Sequence, residues 1–167
     1  MPRRSPSPEP RGSAPGVRVS VLGGPFAGVN RTVVRRRAEK MLVRLRLREV
    51  ELSVVVVDDA AMRDLNHRYR RQDRSTDVLA FSMTEGEPAP ATSPELLGDV
   101  VLNAHAARRQ ARLRGVPLLD ELTMLLAHGL LHLLGHDHQS MAAQRDMTAR
   151  ALELANAAAS PQRDSVD

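Results

Sequence analysis

Valines at 17, 19 and 21 alternate with polar residues and stop at Gly23, Gly24 and Pro25. This period of two predicts a short strand closed by a turn. The period then changes: Val34, Ala38, Met41, Leu42 and Leu45 recur at three- and four-residue spacing, on one side of a predicted helix with Asn30 as its N-cap. Val50, Leu52, Val54 and Val56 alternate again and merge into a continuous valine run through Val57. Such a strand is expected to be buried on both faces and central in its sheet. Asp58 or Asp59 can cap a short helix reaching about Tyr69, and a polar loop over 70–76 leads to an apolar run at 78–83. Residues 84–97 read as a loop and 100–102 as a further strand. Helical spacing then dominates, over about 104–113, 117–134 and 141–154, with Pro117 suited to a first helical position and Gly135 to a helix end.

Strands interleaved with helices, followed by a helical second half, predict one α+β domain: an α/β sandwich with a mixed sheet of about four strands packed with about five helices. The 167-residue length suits a single core. Residues 1–16, rich in proline and arginine, offer almost nothing to bury and read as a disordered tail; the domain is expected over 17–155, and residues 156–167 are expected to fray. Hydrophobic residues at 42% and charged residues at 26% fit a globular protein. The absence of cysteine excludes a disulfide framework, thiolate metal ligands and cysteine nucleophiles, so any bound metal must rest on histidine or carboxylate. No apolar run approaches the ~20 residues that span a bilayer, and the N-terminus has no apolar signal core. No membrane partner and a cytoplasmic location are therefore expected.

The net charge is +4, and 23 of the 24 basic residues are arginine. Eight basic groups fall between Arg31 and Arg48 against the single acid Glu39. A concentrated cationic stripe attracts polyanions, although a solvated helix face would carry the same charges.

The densest chemistry lies in HGLLHLLGHDH, residues 128–138. On a helix, His128 and His132 differ by ~40° in azimuth and ~6 Å in rise, so both can reach one ion. Leucines surround them, and imidazoles in such a setting cost free energy unless their nitrogens are satisfied, which a divalent metal does. Gly135 lets the chain fold back and offers His136, Asp137 or His138 to the same ion; spacing does not choose among them. Gly129 stands where the H-E-x-x-H peptidases place their glutamate base, so the usual peptidase base is absent. An all-histidine set leaves the ion's charge uncompensated, which favours an anionic substrate such as a phosphodiester.

HGLLHLLGHDH resembles the H-G-x-L-H-L-x-G-x-D-H signature of the YbeY family of metal-dependent endoribonucleases. LNHRYRRQDRSTDVLAF at 65–81 and LGDVVLN at 97–103 resemble two further family blocks, in the same order, and the likeness spans 49 to about 155. The resemblance implies that His128, His132 and His138 bind one zinc ion per chain, with His136 at a variable position. It also places Arg70 on a functionally important arginine, suited to pairing with phosphate and stabilising its transition-state charge. Thr76 and Asp77 are expected to fix the loop, and Asp99 either to support the residues of the site from behind or to be a strand-end residue. This sequence departs from the family pattern at Arg71 (commonly glycine), Ser75 (proline) and Ala80 (serine), which leaves the loop around Arg70 with less built-in rigidity.

With only Phe26, Tyr69 and Phe81 available for stacking, RNA affinity is expected to come from Arg35, Arg36, Arg68, Arg70, Arg71 and Arg74 on phosphates, with steep salt dependence and little base specificity. The expected function is a zinc-dependent endoribonuclease of single-stranded RNA, with His128 and Arg70 as its catalytic residues. The resemblance extends this to maturation of the 16S rRNA 3' end and ribosome assembly, with the small ribosomal subunit or assembly factors as partners. Two rivals are a ribosome assembly factor whose zinc is structural and a zinc hydrolase of another substrate class.

Overall fold

The structure is a computed structural model that describes residues 15–83, 95–136 and 140–161. Nine elements follow one another: β1 (Gly16–Val21), α1 (Arg31–Arg44), β2 (Val50–Val57), α2 (Asp59–Arg70), β3 (Val78–Ser82), β4 (Glu95–Asn103), α3 (Ala104–Arg114), α4 (Leu118–Leu133) and α5 (Met141–Ala159). The strands form one mixed sheet in the order β1-β2-β4-β3, with β2 parallel to both neighbours and β3 antiparallel to β4. The valine-rich strand is central, as its unbroken apolar run requires.

Alternation along β2 divides the interior in two. Leu52, Val54 and Val56 join Val100 and Leu102 of β4 in the larger core, filled by Met41 and Leu42 of α1, Leu126 and Leu130 of α4, and Met147 and Ala151 of α5. Val57 and Val101 turn the other way, onto Met62 of α2 and Leu79 of β3. The sheet therefore lies between α1, α4 and α5 on one face and α2 on the other.

Two boundaries differ from the sequence pattern. β4 begins at Glu95 rather than near 100, because Glu95 donates to the Glu49 carbonyl (3.0 Å) and pairs with Val50. A register shift between Glu51 and Leu52 then interrupts the alternation that would have revealed it. α5 runs to Ala159, beyond the expected end at 154, because Ala155 and Ala158 remain buried in the larger core. Residues 156–159, expected to fray, are helical. Among the described residues no single helix is long and apolar enough to cross a membrane.

α4 lies unusually close to the sheet. A Cβ built on Gly129 would stand 2.5 Å from Val100 Cγ1 and 3.1 Å from Val78 Cγ2. Valine is stiff at χ1, so neither neighbour can swing aside. Glycine is therefore a packing requirement of the helix–sheet contact, and no longer side chain fits there.

The C-terminal ends of the parallel strands are tied together by Asn103, which is fully buried. Its Oδ1 accepts from the backbone N–H groups of His105 and Ala106 and so caps α3. Its Nδ2 donates to Asp59 Oδ1 (2.8 Å), Ser75 Oγ (3.0 Å) and the Thr76 carbonyl (3.1 Å). Asp59 also receives both terminal nitrogens of Arg109, at 2.9 and 3.0 Å. These paired hydrogen bonds hold its carboxyl well below the usual aspartate range against the opposing effect of burial, with Asn103 and Ser75 adding to the shift. The network fixes the 71–77 loop over the ends of β2 and β4.

Gly129→Ala is expected to cost about 1–3 kcal/mol by overpacking, read as a lower denaturation midpoint in urea with an unchanged slope. Asp59→Asn tests the network through pH. A depressed carboxyl pKa stabilises the fold above the unfolded value near 3.8 and loses that contribution as the pH falls further. Wild type is therefore expected to melt above the variant at pH 7, with the gap shrinking below about pH 4; a pH-independent gap would assign the loss to shape rather than charge.

Candidate functional site

β3 is an edge strand, and the C-terminal turns of α2 and α4 flank it from opposite faces of the sheet. Between them runs an open groove of about 930 Å³ that brings together Arg70, Gln72 and Arg74, the 78–82 strand, and His132 and His136. Residues 62 positions apart in sequence, Arg70 and His132, thus face the same space.

Each side is built locally. On α4, the predicted spacing holds: His128 and His132 lie four residues apart, both half-buried, among the buried Leu125, Leu130, Leu131 and Leu133. The helix closes with Gly135 at φ 88°, its N–H donating to the His132 carbonyl, and the His136 N–H donating to the Leu131 carbonyl. His138, expected as the third metal ligand, and Asp137 lie outside the described residues. Among the described residues no three histidines or carboxylates form a group that could hold a metal. At the other end of α4, burial pushes the Glu121 carboxyl upward, with Arg114 opposing at 3.5 Å.

On α2, Asp58 caps the first turn by accepting from the Ala61 N–H at 2.8 Å. The helix ends at Arg70, whose guanidinium donates to the Ala80 carbonyl of β3 (2.8 Å) and lies 5.7 Å from the centre of the Phe81 ring. Arg71 then takes the left-handed conformation, φ 56°, which favours glycine and strains an arginine. Side chains restore the loop's rigidity. Buried Asn66 donates to the Arg74 carbonyl at 2.8 Å, and Ser75 binds Asp59 and Asn103. Asp77 accepts from Gln110 at 3.1 Å, and its carbonyl receives the Asn103 N–H.

Other residues singled out in the sequence lie elsewhere. Arg35 and Arg36 belong to α1, which packs on β1, at the sheet edge opposite the groove. The cationic stripe is also partly neutralised: Arg35 pairs with Glu39, Arg37 with Asp120 and Thr123, and Arg44 with Glu153, while Lys40 donates to the Ser160 carbonyl. Arg68 stays on the exposed side of α2, 3.4 Å from Asp64. Asp99 lines a separate cleft with Arg18, Glu51 and Ser53 rather than the groove. Sequence reasoning missed the buried Asn66 and Asn103 and the pairing of Tyr69 with Phe81. The aromatic residue preceding Arg70 was the available signal for that last pair.

A family model described as Endoribonuclease YbeY matches residues 28–159. The endoribonuclease YbeY of Pelotomaculum thermopropionicum is 48% identical over 107 residues, covering 64% of this chain and 70% of that protein. That of Syntrophus aciditrophicus is 40% identical over 107 residues (64% and 66%), and that of Myxococcus xanthus 43% identical over 136 residues (80% and 45%). The match to the latter two spans less than two thirds of their length. The solution structure of TM1509 from Thermotoga maritima has the same fold, with a TM-score of 0.58 at 24% identity over 85% of this chain and 88% of that one. The sequence blocks, the fold and a family match across most of the domain agree: this chain belongs to the YbeY endoribonuclease family.

Proposed function

We propose that the groove along β3 is the active site of a metal-dependent endoribonuclease that cuts single-stranded RNA in the cytoplasm. The observation that carries this reading is the shared groove: Arg70 and His132 line one space from opposite faces of the sheet. The donor set fits a divalent ion. Two half-buried imidazoles stand one helical turn apart beside the groove, no thiolate exists in the chain, and the 2.5 Å approach at Gly129 leaves no room for a glutamate base. His128, His132 and His138 would hold one zinc ion. When bound, zinc supplies Lewis-acid polarisation of the scissile phosphate or activation of a water.

The chain's own residues do the rest. One Arg70 nitrogen is committed to the Ala80 carbonyl and the ring of Phe81 backs the guanidinium, so the side chain is oriented before substrate arrives. Its remaining donors can pair with phosphate and stabilise added charge in the transition state. Arg74 lines the same groove and supplies a phosphate contact beside Arg70; Arg68 and Arg71, on α2 and in the following loop, lie outside its lining and would serve only RNA that extends past it, with Arg35 and Arg36 as a distant second surface. The substrate assignment to rRNA maturation at the 16S 3' end, with the small ribosomal subunit or assembly factors as partners, rests on family membership.

Two variants test the division of labour. Arg70→Ala is expected to keep its zinc and its circular dichroism spectrum and to lose roughly 10²–10³-fold in cleavage of a single-stranded oligoribonucleotide. His128→Ala is expected to lose zinc as well as cutting. Wild-type cutting by Arg70→Ala would overturn the assignment of that residue, and zinc retained by His128→Ala would overturn the ligand set. The product ends identify the nucleophile, a 2',3'-cyclic phosphate marking attack by the RNA's 2'-hydroxyl.

A further inference from the structure

The chain contains one tyrosine, two phenylalanines and no tryptophan, a composition that argues against base stacking as a source of affinity. The fold changes that conclusion. Tyr69 and Phe81 meet edge to face, with ring centroids 5.3 Å apart and planes at 64°, and both line the groove that holds Arg70 and His132. Two of three aromatic rings are thus gathered at one place.

Their burial differs in a useful way. Phe81 is half-buried and packs against the smaller core of Val57, Met62, Leu79 and Val101. Tyr69 remains 63% exposed. Its neighbour Arg70 would project about 100° away around an ideal helix, yet both side chains converge on the same Phe81 ring, Arg70 at 5.7 Å. A ring held against a core-anchored partner, largely exposed and next to a guanidinium is a preorganised surface for a flat, electron-rich group beside an anion. An unpaired nucleotide has that form, with a base one sugar away from its phosphate. Stacking on such a ring contributes about 1–3 kcal/mol per base and tolerates any base identity.

Resting on the endoribonuclease reading, we propose that Tyr69 is a positioning residue that stacks on the unpaired base adjoining the phosphate bound by Arg70. A base inside a duplex has no free face to offer, so the platform selects single-stranded RNA without reading its sequence.

The test uses the full chain with zinc and a short oligoribonucleotide, intact or carrying one abasic position beside the cleavage site. Tyr69→Ala is expected to raise KM roughly 5- to 100-fold, with zinc content unchanged and a smaller change in kcat. Tyr69→Phe is expected to behave as wild type, and Tyr69→Leu as the alanine variant. The abasic substrate is expected to raise KM for wild type and to add little for Tyr69→Ala. Wild-type KM in Tyr69→Ala, or a loss in Tyr69→Phe equal to that in Tyr69→Ala, would overturn the stacking role while leaving the nuclease reading intact. Intact RNA left uncut by the wild-type protein would overturn both.

Discussion

The close seating of α4 on the sheet governs the rest of the molecule. Because position 129 has no side chain, the helix backbone approaches Val100 and Val78 directly, and the turn that carries His132 comes to rest beside the edge strand β3. A bulkier residue would lift this helix away from β3 and from the arginine on the opposite side. The same contact explains why a histidine pair at metalloprotease spacing occurs here without the protease's glutamate: the position between them belongs to packing.

The other half of the groove depends on polar ties rather than on apolar contact. α2 covers only a small core, and the loop that follows Arg70 is tied to α2 through Asn66 and to the hub at Asn103 through Ser75, Thr76 and the Asp77 carbonyl. Buried amide groups with satisfied hydrogen bonds specify one geometry at low cost, whereas any one of them left unpaired would be expensive. Strain at Arg71 is tolerated within that frame. The result is an arginine oriented by a backbone carbonyl and an aromatic face before any substrate binds.

Regular periodicity made the fold readable in the sequence. The alternating valines of β2 and the helical spacing of α1 and α4 are driven by burial, and burial leaves a pattern of period two or 3.6. The start of β4 escaped because its register shift breaks that pattern, and the end of α5 because alanine is small enough to be buried without looking apolar. In the candidate site, the i,i+4 histidines of α4 were legible because one helix carries both. The groove was not, since Arg70 and His132 meet only through the strand order β1-β2-β4-β3, which local sequence does not encode. Charge density at 31–48 did not disclose its own pairings for a related reason: Arg37 and Arg44 are committed to α4 and α5, partners remote in sequence.

Metal content and RNA cutting, measured on one preparation before chelation, after it and on zinc repletion, bear most directly on the proposed chemistry. About one zinc per chain is expected at the start, with cutting lost as the ion is removed and restored as it returns. Undiminished cutting by metal-free protein would contradict it.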